Sequence, residues 1–341
     1  MTQETSQTNT IRAIALLSGG LDSMLAAKLI LDQGIQVIGI SFESPFFNAH
    51  RARTAAKKLG IPLITWDITD ELIGVLKNPK HGFGRFFNPC IDCHALMVKK
   101  ALELLPSLQA QFIITGEVLY QRPKSQKMGG LMAVAKHSGA QNLILRPLSA
   151  KLLPPTKPER EGWVNRSLLM DIQGRSRLRQ LELAQTLGIN DYPMPAGGCL
   201  LTDISVTRRL YKIFQYWKDD IDRPFLELSK VGRHFWAGSD LIVVARNEQE
   251  SYSLRALMKV WDYKVELTDV PGPTTLVRSL GKPTDDILEL SALLTARYSK
   301  ARSMPLVKVK AENYLLLHTE MLQAKPSALA ETMERMNAEQ L

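Results

Sequence analysis

A short loop of glycine and hydroxyl residues near the start of the chain constrains the fold more than any other feature. The segment IRAIALLS has the pattern of a buried strand, and LDSMLAAKLILDQG has apolar residues at helical spacing. Between them lies the sequence SGGLDS, residues 18–23. A tight turn between a strand and a helix is typical of the carboxyl edge of an α/β sheet, where ligands bind.

The residues that follow repeat the alternation of strand and helix. IQVIGISF and IPLITWDI are predicted strands on either side of a predicted helix, NAHRARTAAKKLG. FIITG and NLILRP are predicted as further strands around a helix near residues 127–138. This order predicts an α/β fold, a doubly wound parallel sheet covered by helices on both faces.

The rhythm changes twice along the 341 residues. LSAKLLPPTKPEREGW is rich in proline and charge, which predicts an exposed loop, and a helix is predicted through GRSRLRQLELAQTLG. Near residue 200 the pattern becomes that of a second, smaller α+β domain. We expect a disordered N-terminus at 1–10, an α/β domain at 11–202, an α+β domain at 203–324 and a loose tail at 325–341.

The SGGLDS loop has the chemistry of a pyrophosphate cradle. Glycines let the backbone approach a phosphate, hydroxyls donate to its oxygens, and a helix N-terminus adds free N–H groups and positive potential. The chain has no GxxxxGK[ST] here, which favours attack at the α-phosphorus over hydrolysis of the γ-phosphate. We expect Asp22 to hold Mg²⁺ or orient a phosphate-bound group. The expected ATP contacts are Ser18, Gly19, Gly20, Asp22 and Ser23.

Three cysteines are too few for a disulfide framework and need a chemical explanation. Cys90 and Cys93 form a CxxC, and Cys199 lies more than a hundred residues downstream after two glycines. Three thiolates suit a [4Fe-4S] cluster that keeps one iron open to hold sulfide. A zinc site with another ligand, a persulfide relay and three buried thiols remain alternatives. We expect His94 to have an orienting role.

The net charge of +9 is concentrated in one segment. Residues 122–180 contain twelve basic and three acidic residues, a local excess as large as that of the whole chain. Both a nucleic-acid surface and an ordinary solvated face explain such a segment. Three of its arginines alternate in sequence, so one of them can face the nucleotide cleft. The expected RNA contacts in this segment are Arg122, Lys124, Lys127, Arg175, Arg177 and Arg179.

These motifs resemble those of the PP-loop ATP pyrophosphatases, which activate a carbonyl oxygen by adenylation. TGEVLYQRPKSQ at 115–126 and LILRPL at 143–148 look like segments of the tRNA 4-thiouridine synthetases. The CxxC with a distant third cysteine is similar to the iron-sulfur-dependent thiouridine synthases. The resemblance implies that Gly116, Glu117 and Gln121 line the ATP cleft, and Tyr120 stands where the family has glycine.

The C-terminal part carries a second resemblance. VGRHFWAGSDLIVVARNEQESYSLRAL, residues 231–257, looks like the RNA-associated domain of the NFACT proteins of ribosome quality control. This implies RNA contacts by Arg233, with His234, Arg246 and Asn247 as further candidates. We expect this domain and the basic segment to replace the RNA-binding region that precedes the PP-loop in 4-thiouridine synthetases.

The sequence therefore predicts an ATP-dependent tRNA sulfurtransferase. A uridine oxygen attacks the α-phosphorus of ATP, pyrophosphate leaves, and sulfur carried at the three cysteines displaces AMP. Expected catalytic residues are Asp22, Cys90, Cys93 and Cys199, and expected cofactors are ATP, Mg²⁺ and a [4Fe-4S] cluster. Expected partners are tRNA and a sulfur donor, either sulfide or a persulfide carrier.

Two other classes of function remain open at this point. One is a PP-loop ligase that forms an amide or a modified base and holds zinc on its cysteines. The other is a nucleotide-gated RNA-binding module that releases no pyrophosphate. No apolar stretch approaches the length of a membrane span and no signal peptide is evident, so we expect a cytoplasmic location without membrane contact. The nucleotide that is modified and the oligomeric state are left open.

Overall fold

A computed structural model describes residues 10–84, 86–192, 199–313 and 318–341. The chain divides into two compact units, the first ending at Thr202 and the second running from Asp203 to Leu341. The expected disorder at residues 1–9 lies outside the described residues, as do Gly197 and Gly198 before Cys199. None of the helices that the structure describes is long and apolar enough to cross a membrane.

The first unit is built on a parallel sheet of five strands. They are β1 (Arg12–Leu16), β2 (Gln36–Glu43), β3 (Leu63–Asp67), β4 (Phe112–Thr115) and β5 (Ile144–Leu145). Their spatial order is β3-β2-β1-β4-β5, so the direction of winding reverses between β1 and β4. In the parallel registers of β1, Leu16 pairs with Ile40 on one side and with Thr115 on the other.

Among the described residues of this unit, seven α-helices accompany the sheet, and the strands are apolar on both faces because both are covered. Ile14 and Ile113 belong to a core that includes residues of α4, whereas Phe112 and Ile114 belong to a core with α1 and α2. The predicted doubly wound α/β fold is therefore confirmed. The helices are α1 (Leu21–Leu31), α2 (His50–Leu59), α3 (Thr69–Lys77), α4 (Cys90–Leu104), α5 (Met128–Ser138), α6 (Lys157–Arg160) and α7 (Leu178–Thr186).

The segment LSAKLLPPTKPEREGW differs from the exposed loop that its composition predicts. Leu148 and Leu153 are buried, and α6 begins with a capping box in which the Thr156 and Glu159 side chains bind each other's backbone N–H. The apolar residues pack inward while the prolines and charges between them remain outside. The average composition of this segment therefore did not predict that it is ordered and partly buried.

The second unit is an antiparallel sheet with the order β11-β10-β8-β9-β7-β6-β12, and its helix α11 packs on the sheet. This confirms the predicted second α+β domain, although β10 and β11 were not predicted. Its strands are β6 (Arg233–Ala237), β7 (Asp240–Val244), β8 (Tyr263–Leu267), β9 (Thr275–Arg278), β10 (Val307–Asn313), β11 (His318–Ala324) and β12 (Glu339–Gln340). Its helices are α8 (Ile204–Trp217), α9 (Arg223–Leu228), α10 (Glu248–Leu257), α11 (Asp285–Arg297) and α12 (Leu329–Arg335).

The expected loose tail at 325–341 is instead part of the second unit. Leu329 and Met333 of α12 pack against the core of this unit, and Gln340 of β12 pairs with Phe235 of β6. The tail is ordered because its apolar residues recur at helical spacing and find a surface to cover. The boundary expected at residue 324 is therefore wrong.

A fully buried ion pair lies within the second unit. Arg278 Nη2 is 2.6 Å from Asp262 Oδ2, Arg278 Nε also donates to Asp262, and both side chains are 0% exposed. A buried charge that loses its partner is strongly destabilising, because the remaining charge is neither hydrated nor paired.

We predict that Asp262→Ala lowers the free energy of unfolding of this unit by about 3–5 kcal/mol, because it leaves Arg278 buried and unpaired. Urea unfolding followed by tryptophan fluorescence measures the change. Arg255→Ala is the matched control, since it removes a partly exposed pair with Glu266 and should cost under about 1 kcal/mol. Equal losses in the two variants would contradict the prediction.

Candidate nucleotide and thiol site

Two loops that the sequence analysis singled out meet at the same edge of the parallel sheet. SGGLDS follows β1, and the TGE sequence spans the end of β4. Because β1 and β4 are neighbours and the winding reverses between them, a crevice is expected at their carboxyl ends. This is where α/β sheets of this kind bind ligands.

The first loop is shaped by close packing as well as by glycine flexibility. Gly19 has φ +76°, and a Cβ there would lie 2.3 Å from the backbone carbonyl carbon of Arg51. Gly20 is the N-cap of α1 and gives the helix no side-chain cap. The first turn of α1 therefore lacks the side-chain acceptor that usually satisfies its N–H groups, as an anion-binding helix start requires.

Hydroxyl groups brace this loop. Ser18 Oγ donates to Ser23 Oγ at 3.2 Å and accepts from the N–H of Gly20 at 3.3 Å. Ser23 Oγ donates to the carbonyl oxygen of Gly20 at 2.8 Å. The two serines predicted as ATP contacts thus lie together and fix the turn.

Gly116 brings the second loop against the first. A Cβ at Gly116 would lie 2.5 Å from the backbone nitrogen of Ser23 and 2.7 Å from the carbonyl carbon of Asp22. Only glycine fits at this distance. The structure therefore gives Gly116 a packing role at the crevice, where the sequence analysis expected an ATP contact.

Asp22 is held between Gln121 and Arg177. Gln121 Nε2 donates to Asp22 Oδ2 at 3.0 Å, and Arg177 Nη2 lies 3.5 Å from Asp22 Oδ1. Three buried polar atoms of this group have no hydrogen-bond partner among the described residues: Asp22 Oδ1, Gln121 Oε1 and Arg177 Nε. Such atoms are costly to leave unpaired and cluster where a ligand is missing.

Glu117 does not line an open cleft, because it belongs to a buried polar network. Arg146 Nε donates to Glu117 Oε2 at 2.9 Å, and His94 Nδ1 lies 3.0 Å from Glu117 Oε1. Burial alone would raise the pKa of Glu117, but the charge of Arg146 and the hydrogen bonds of His94 and Arg146 lower it to about 2. His94 therefore contacts Glu117, and an orienting role for it stays a prediction. Arg146 was not predicted as a member of this network, although it lies directly after the predicted strand β5.

Tyr120 has an unusual backbone. Its φ is +62°, a left-handed conformation that glycine adopts freely and other residues rarely adopt. This explains physically why a glycine would suit the position. Tyr120 N–H donates to the carbonyl oxygen of Gln126 at 2.7 Å, which holds the turn that presents Gln121 to Asp22.

The three cysteines come together although they are far apart in sequence. Cys90 and Cys93 lie in the first turns of α4, and all three thiols are free of disulfides. Burial raises the pKa of each thiol, that of Cys199 to about 11, and the neighbouring thiols raise the pKa of Cys93 further. The three sulfurs do not all lie within 4.8 Å of one another.

Two residues of the basic segment make contacts within the first unit. Lys124 Nζ donates to the carbonyl oxygens of His81, Gly82 and Phe83, at 3.3, 3.0 and 2.6 Å. Arg177 binds Asp22, so it is the arginine that faces the cleft. Lys124 and Arg177 thus have contacts within the unit, and the expectation that they contact RNA stays a prediction.

The remaining members of this set are exposed. Arg179 is ion-paired with Asp171, 2.5 Å away. The charges of Arg122 lower the pKa values of Cys90 and Cys199, which places this exposed arginine beside the thiols. Arg175 and Lys127 are exposed as well.

In the second unit, the four expected RNA contacts are each engaged within the domain. His234 is fully buried, and its Nε2 lies 3.0 Å from the carbonyl oxygen of Val231. Burial lowers the pKa of His234 to about 3. Asn247 caps α10, and Arg246 pairs with Glu250. Arg233 stacks on Tyr298 with its guanidinium carbon 4.4 Å from the ring centre. A surface role for His234 is excluded by its burial.

Family models match both units of the chain. Residues 8–151 match the thiamine biosynthesis protein (ThiI) family, and residues 232–335 match the NFACT protein RNA binding domain. The two resemblances predicted from the sequence are thereby confirmed.

Curated relatives match part of the chain. The tRNA-specific 2-thiouridylase MnmA of Dehalococcoides mccartyi is 34% identical over 128 residues, which are 33% of this chain and 35% of that protein. The MnmA of Saccharopolyspora erythraea is 28% identical over 164 residues, 42% of this chain and 44% of that protein. The chain thus spans between about a third and under half of the length of these relatives.

Solved structures show more distant similarity. A 4-thiouridine synthetase–RNA complex with bound ATP has 20% identity and a TM-score of 0.34, covering 52% of this chain and 51% of that one. The C-terminal part of the fibronectin/fibrinogen-binding protein from Streptococcus suis has 16% identity and a TM-score of 0.28, covering 78% of this chain and 96% of that one.

We predict a characteristic acid dependence for Glu117→Gln. The folded pKa of Glu117, about 2, lies below its ordinary value of 4.5, so its carboxylate contributes stability above pH 4.5. That contribution is lost as the pH falls from 4.5 toward 2. The stability difference between the parent chain and Glu117→Gln should therefore be largest above pH 5 and shrink toward pH 2.

Urea unfolding measured across this pH range tests the prediction. The control is Glu161→Gln, which changes an exposed carboxylate and accounts for the loss of one negative charge. A difference that stays constant from pH 6 to pH 2.5 would show that Glu117 is not held as a buried carboxylate.

Proposed function

We propose that the protein is an ATP-dependent tRNA sulfurtransferase. The observation that carries the proposal is that one unit contains both a PP-loop and a three-cysteine group. Residues 8–151 of this unit, which include the PP-loop, Cys90 and Cys93, match the ThiI family. The match of the second unit to an RNA binding domain supports an RNA substrate.

The ATP site is proposed at the crevice between β1 and β4. The uncapped start of α1 would bind phosphate oxygens through backbone N–H groups. The hydroxyls of Ser18 and Ser23 now donate within the loop, and we propose that they rotate to donate to the phosphate when ATP binds. The SGGLDS loop contains no lysine that could contact the phosphates, and Arg177 supplies the positive charge beside it. Its unpartnered Nε is available to a phosphate oxygen.

The residues present fit a magnesium ion at this site. Asp22 Oδ1, which contacts only the Arg177 guanidinium at 3.5 Å among the described residues, and Gln121 Oε1 both lack a hydrogen bond, and oxygen ligands are those that Mg²⁺ prefers. When bound with ATP, the ion would neutralise phosphate charge. Arg177 now balances the charge of Asp22, and we propose that it exchanges this carboxylate for a phosphate oxygen when ATP binds.

The thiol group fits an iron-sulfur cluster better than a single zinc ion. Thiolates on one tetrahedral zinc lie about 3.8 Å apart, given Zn–S bonds of about 2.3 Å. The three sulfurs here do not fit within 4.8 Å, and only three thiols are available. Cys90, Cys93 and Cys199 would hold a [4Fe-4S] cluster, which when bound supplies an iron with an open position for sulfide.

The same thiols are poor nucleophiles while they are free. Burial raises the pKa values of all three, so little thiolate is present near neutral pH. This favours a metal-bound role over a persulfide relay that starts from an activated cysteine. Arg122 lies where it can stabilise negative charge at Cys90 and Cys199.

The proposed reaction has two steps. A uridine carbonyl oxygen bonds to the α-phosphorus held by the SGGLDS loop, and the bond to pyrophosphate breaks. Sulfur then bonds to the activated carbon, and AMP departs with the original oxygen. Adenylation is needed because the carbonyl oxygen is otherwise a poor leaving group. The exposed residues Arg122, Lys127 and Arg175 are proposed to contact tRNA phosphates, which would make binding sensitive to salt.

We predict that Arg177→Ala lowers ATP-dependent pyrophosphate formation on the order of 100-fold, because it removes a preorganised cation from the phosphate site. The assay contains the full chain, tRNA, ATP and sulfide, and measures pyrophosphate together with thiolated nucleosides by mass spectrometry. The tRNA affinity of this variant should remain unchanged.

Arg175→Ala is the matched control, since Arg175 is exposed two residues away. It should keep pyrophosphate formation and weaken tRNA binding, with a smaller dependence on salt. If Arg177→Ala lost tRNA affinity but kept pyrophosphate formation, Arg177 would be an RNA contact and not a phosphate ligand of ATP. Pyrophosphate release without sulfur incorporation would favour a ligase, and RNA binding without pyrophosphate would favour a nucleotide-gated module.

We predict that the anaerobically reconstituted chain binds about four irons and that Cys199→Ser loses them together with thiolation. Iron and sulfide content and visible absorption measure the cluster. Thr202→Ala is the control, because it removes a hydroxyl that donates to the carbonyl oxygen of Cys199 at 2.7 Å and leaves the thiol. Iron content that is independent of Cys199 would contradict the assignment.

A further inference from the structure

We propose that His81, Asp92 and His137 form a zinc site that is separate from the three-cysteine group. In the part of the chain that the structure describes, this is the group of three metal-ligating side chains whose ligand atoms all lie within 4.8 Å of one another. Its members come from the loop after α3, from α4 and from the last turn of α5. The proposal does not depend on the function proposed above.

The two imidazoles converge on one carboxylate oxygen. His81 Nδ1 lies 2.7 Å and His137 Nδ1 lies 3.4 Å from Asp92 Oδ1. The other oxygen, Asp92 Oδ2, accepts from the backbone N–H of His81 at 2.9 Å, which fixes the carboxylate. The rings of the two histidines are 5.4 Å apart between centroids.

The burial and the negative charge of Asp92 suit a bound cation. The Asp92 side chain is 3% exposed, and its ionic contacts within the described residues are with these two histidines. A divalent cation bound by Asp92 and the two imidazoles would supply a counter charge to this buried carboxylate.

The donor set and its spacing indicate zinc. Two imidazole nitrogens and one carboxylate oxygen are common zinc ligands, and bonds of about 2.0–2.1 Å in a tetrahedron keep ligand atoms about 3.4 Å apart. The separation of 3.4 Å already matches this value, and the separation of 2.7 Å would have to widen by about 0.7 Å. The side chains of His81 and His137 are 27% and 35% exposed, which leaves access for water as a fourth ligand.

A metal at this position would stabilise the turn of α4 that carries two of the three cysteines. Asp92 stands between Cys90 and Cys93 in the first turns of α4. The loop that carries His81 is held from its other side by Lys124, which donates to the carbonyl oxygens of His81, Gly82 and Phe83. Zinc would therefore tie this loop and α5 to the turn that positions two of the cysteines.

The test measures zinc binding by calorimetry in the metal-free full chain and in a full chain with all three cysteines changed to serine. We expect one zinc site to persist without the cysteines. His137→Ala in that background should weaken zinc binding at least about tenfold. Removal of a residue that only hydrogen-bonds to a metal ligand already lowers metal affinity by about this factor. His50→Ala is the matched control, because His50 is an exposed histidine outside the cluster, and it should change nothing.

Asp92→Asn gives a second variant, with circular dichroism to verify folding. If the serine variant does not fold, cobalt absorption of the unmodified chain decides. Cobalt at this site should give absorption bands without thiolate charge transfer, because its ligands include no sulfur. Loss of these bands in His137→Ala supports the site. Failure of the folded serine variant to bind zinc, or equal zinc affinity in His137→Ala and His50→Ala, would overturn the proposal.

Discussion

The buried ion pair between Glu117 and Arg146 joins the parts of the first unit on which its chemistry depends. Glu117 follows β4 and Arg146 follows β5, so the pair fixes the ends of two strands at the edge where the PP-loop lies. Through His94 the same carboxylate contacts α4, the helix that begins with the CxxC. Such a pair is retained only with excellent geometry, because its desolvation is expensive. The phosphate loop and the thiols are thus positioned by one network.

Much of this arrangement could be predicted from local sequence. Strand and helix periodicity predicted the five strands β1 to β5 and the helices α1, α2, α5 and α7, but it did not predict α3 or α4. SGGLDS located the crevice because a loop after a central strand lies at the carboxyl edge of the sheet. The proximity of Cys199 to the CxxC was expected from chemistry. The distances between the three sulfurs could not be predicted, because they depend on how distant segments pack.

The sequence could not show which charged side chains make their contacts inside the protein. Lys124 and Arg177 look like surface cations in a basic segment, yet one binds three carbonyl oxygens and the other binds Asp22. His234 looked like an RNA contact until its burial was known. Composition reports how many charges a segment has, and only the fold determines where each one points. The C-terminal tail was misjudged for the same reason, since its order comes from the surface it covers.

The contact at Gly116 has a mechanical consequence. Because the chain at Gly116 packs directly on the backbone of Asp22 and Ser23, no side chain lies between them to absorb a displacement. Interiors packed in this way transmit strain instead of cushioning it. The first turn of α1 and the end of β4 must therefore shift as one body. A displacement of the phosphate loop would carry Glu117 with it, and through His94 it would reach the helix that bears two of the sulfurs.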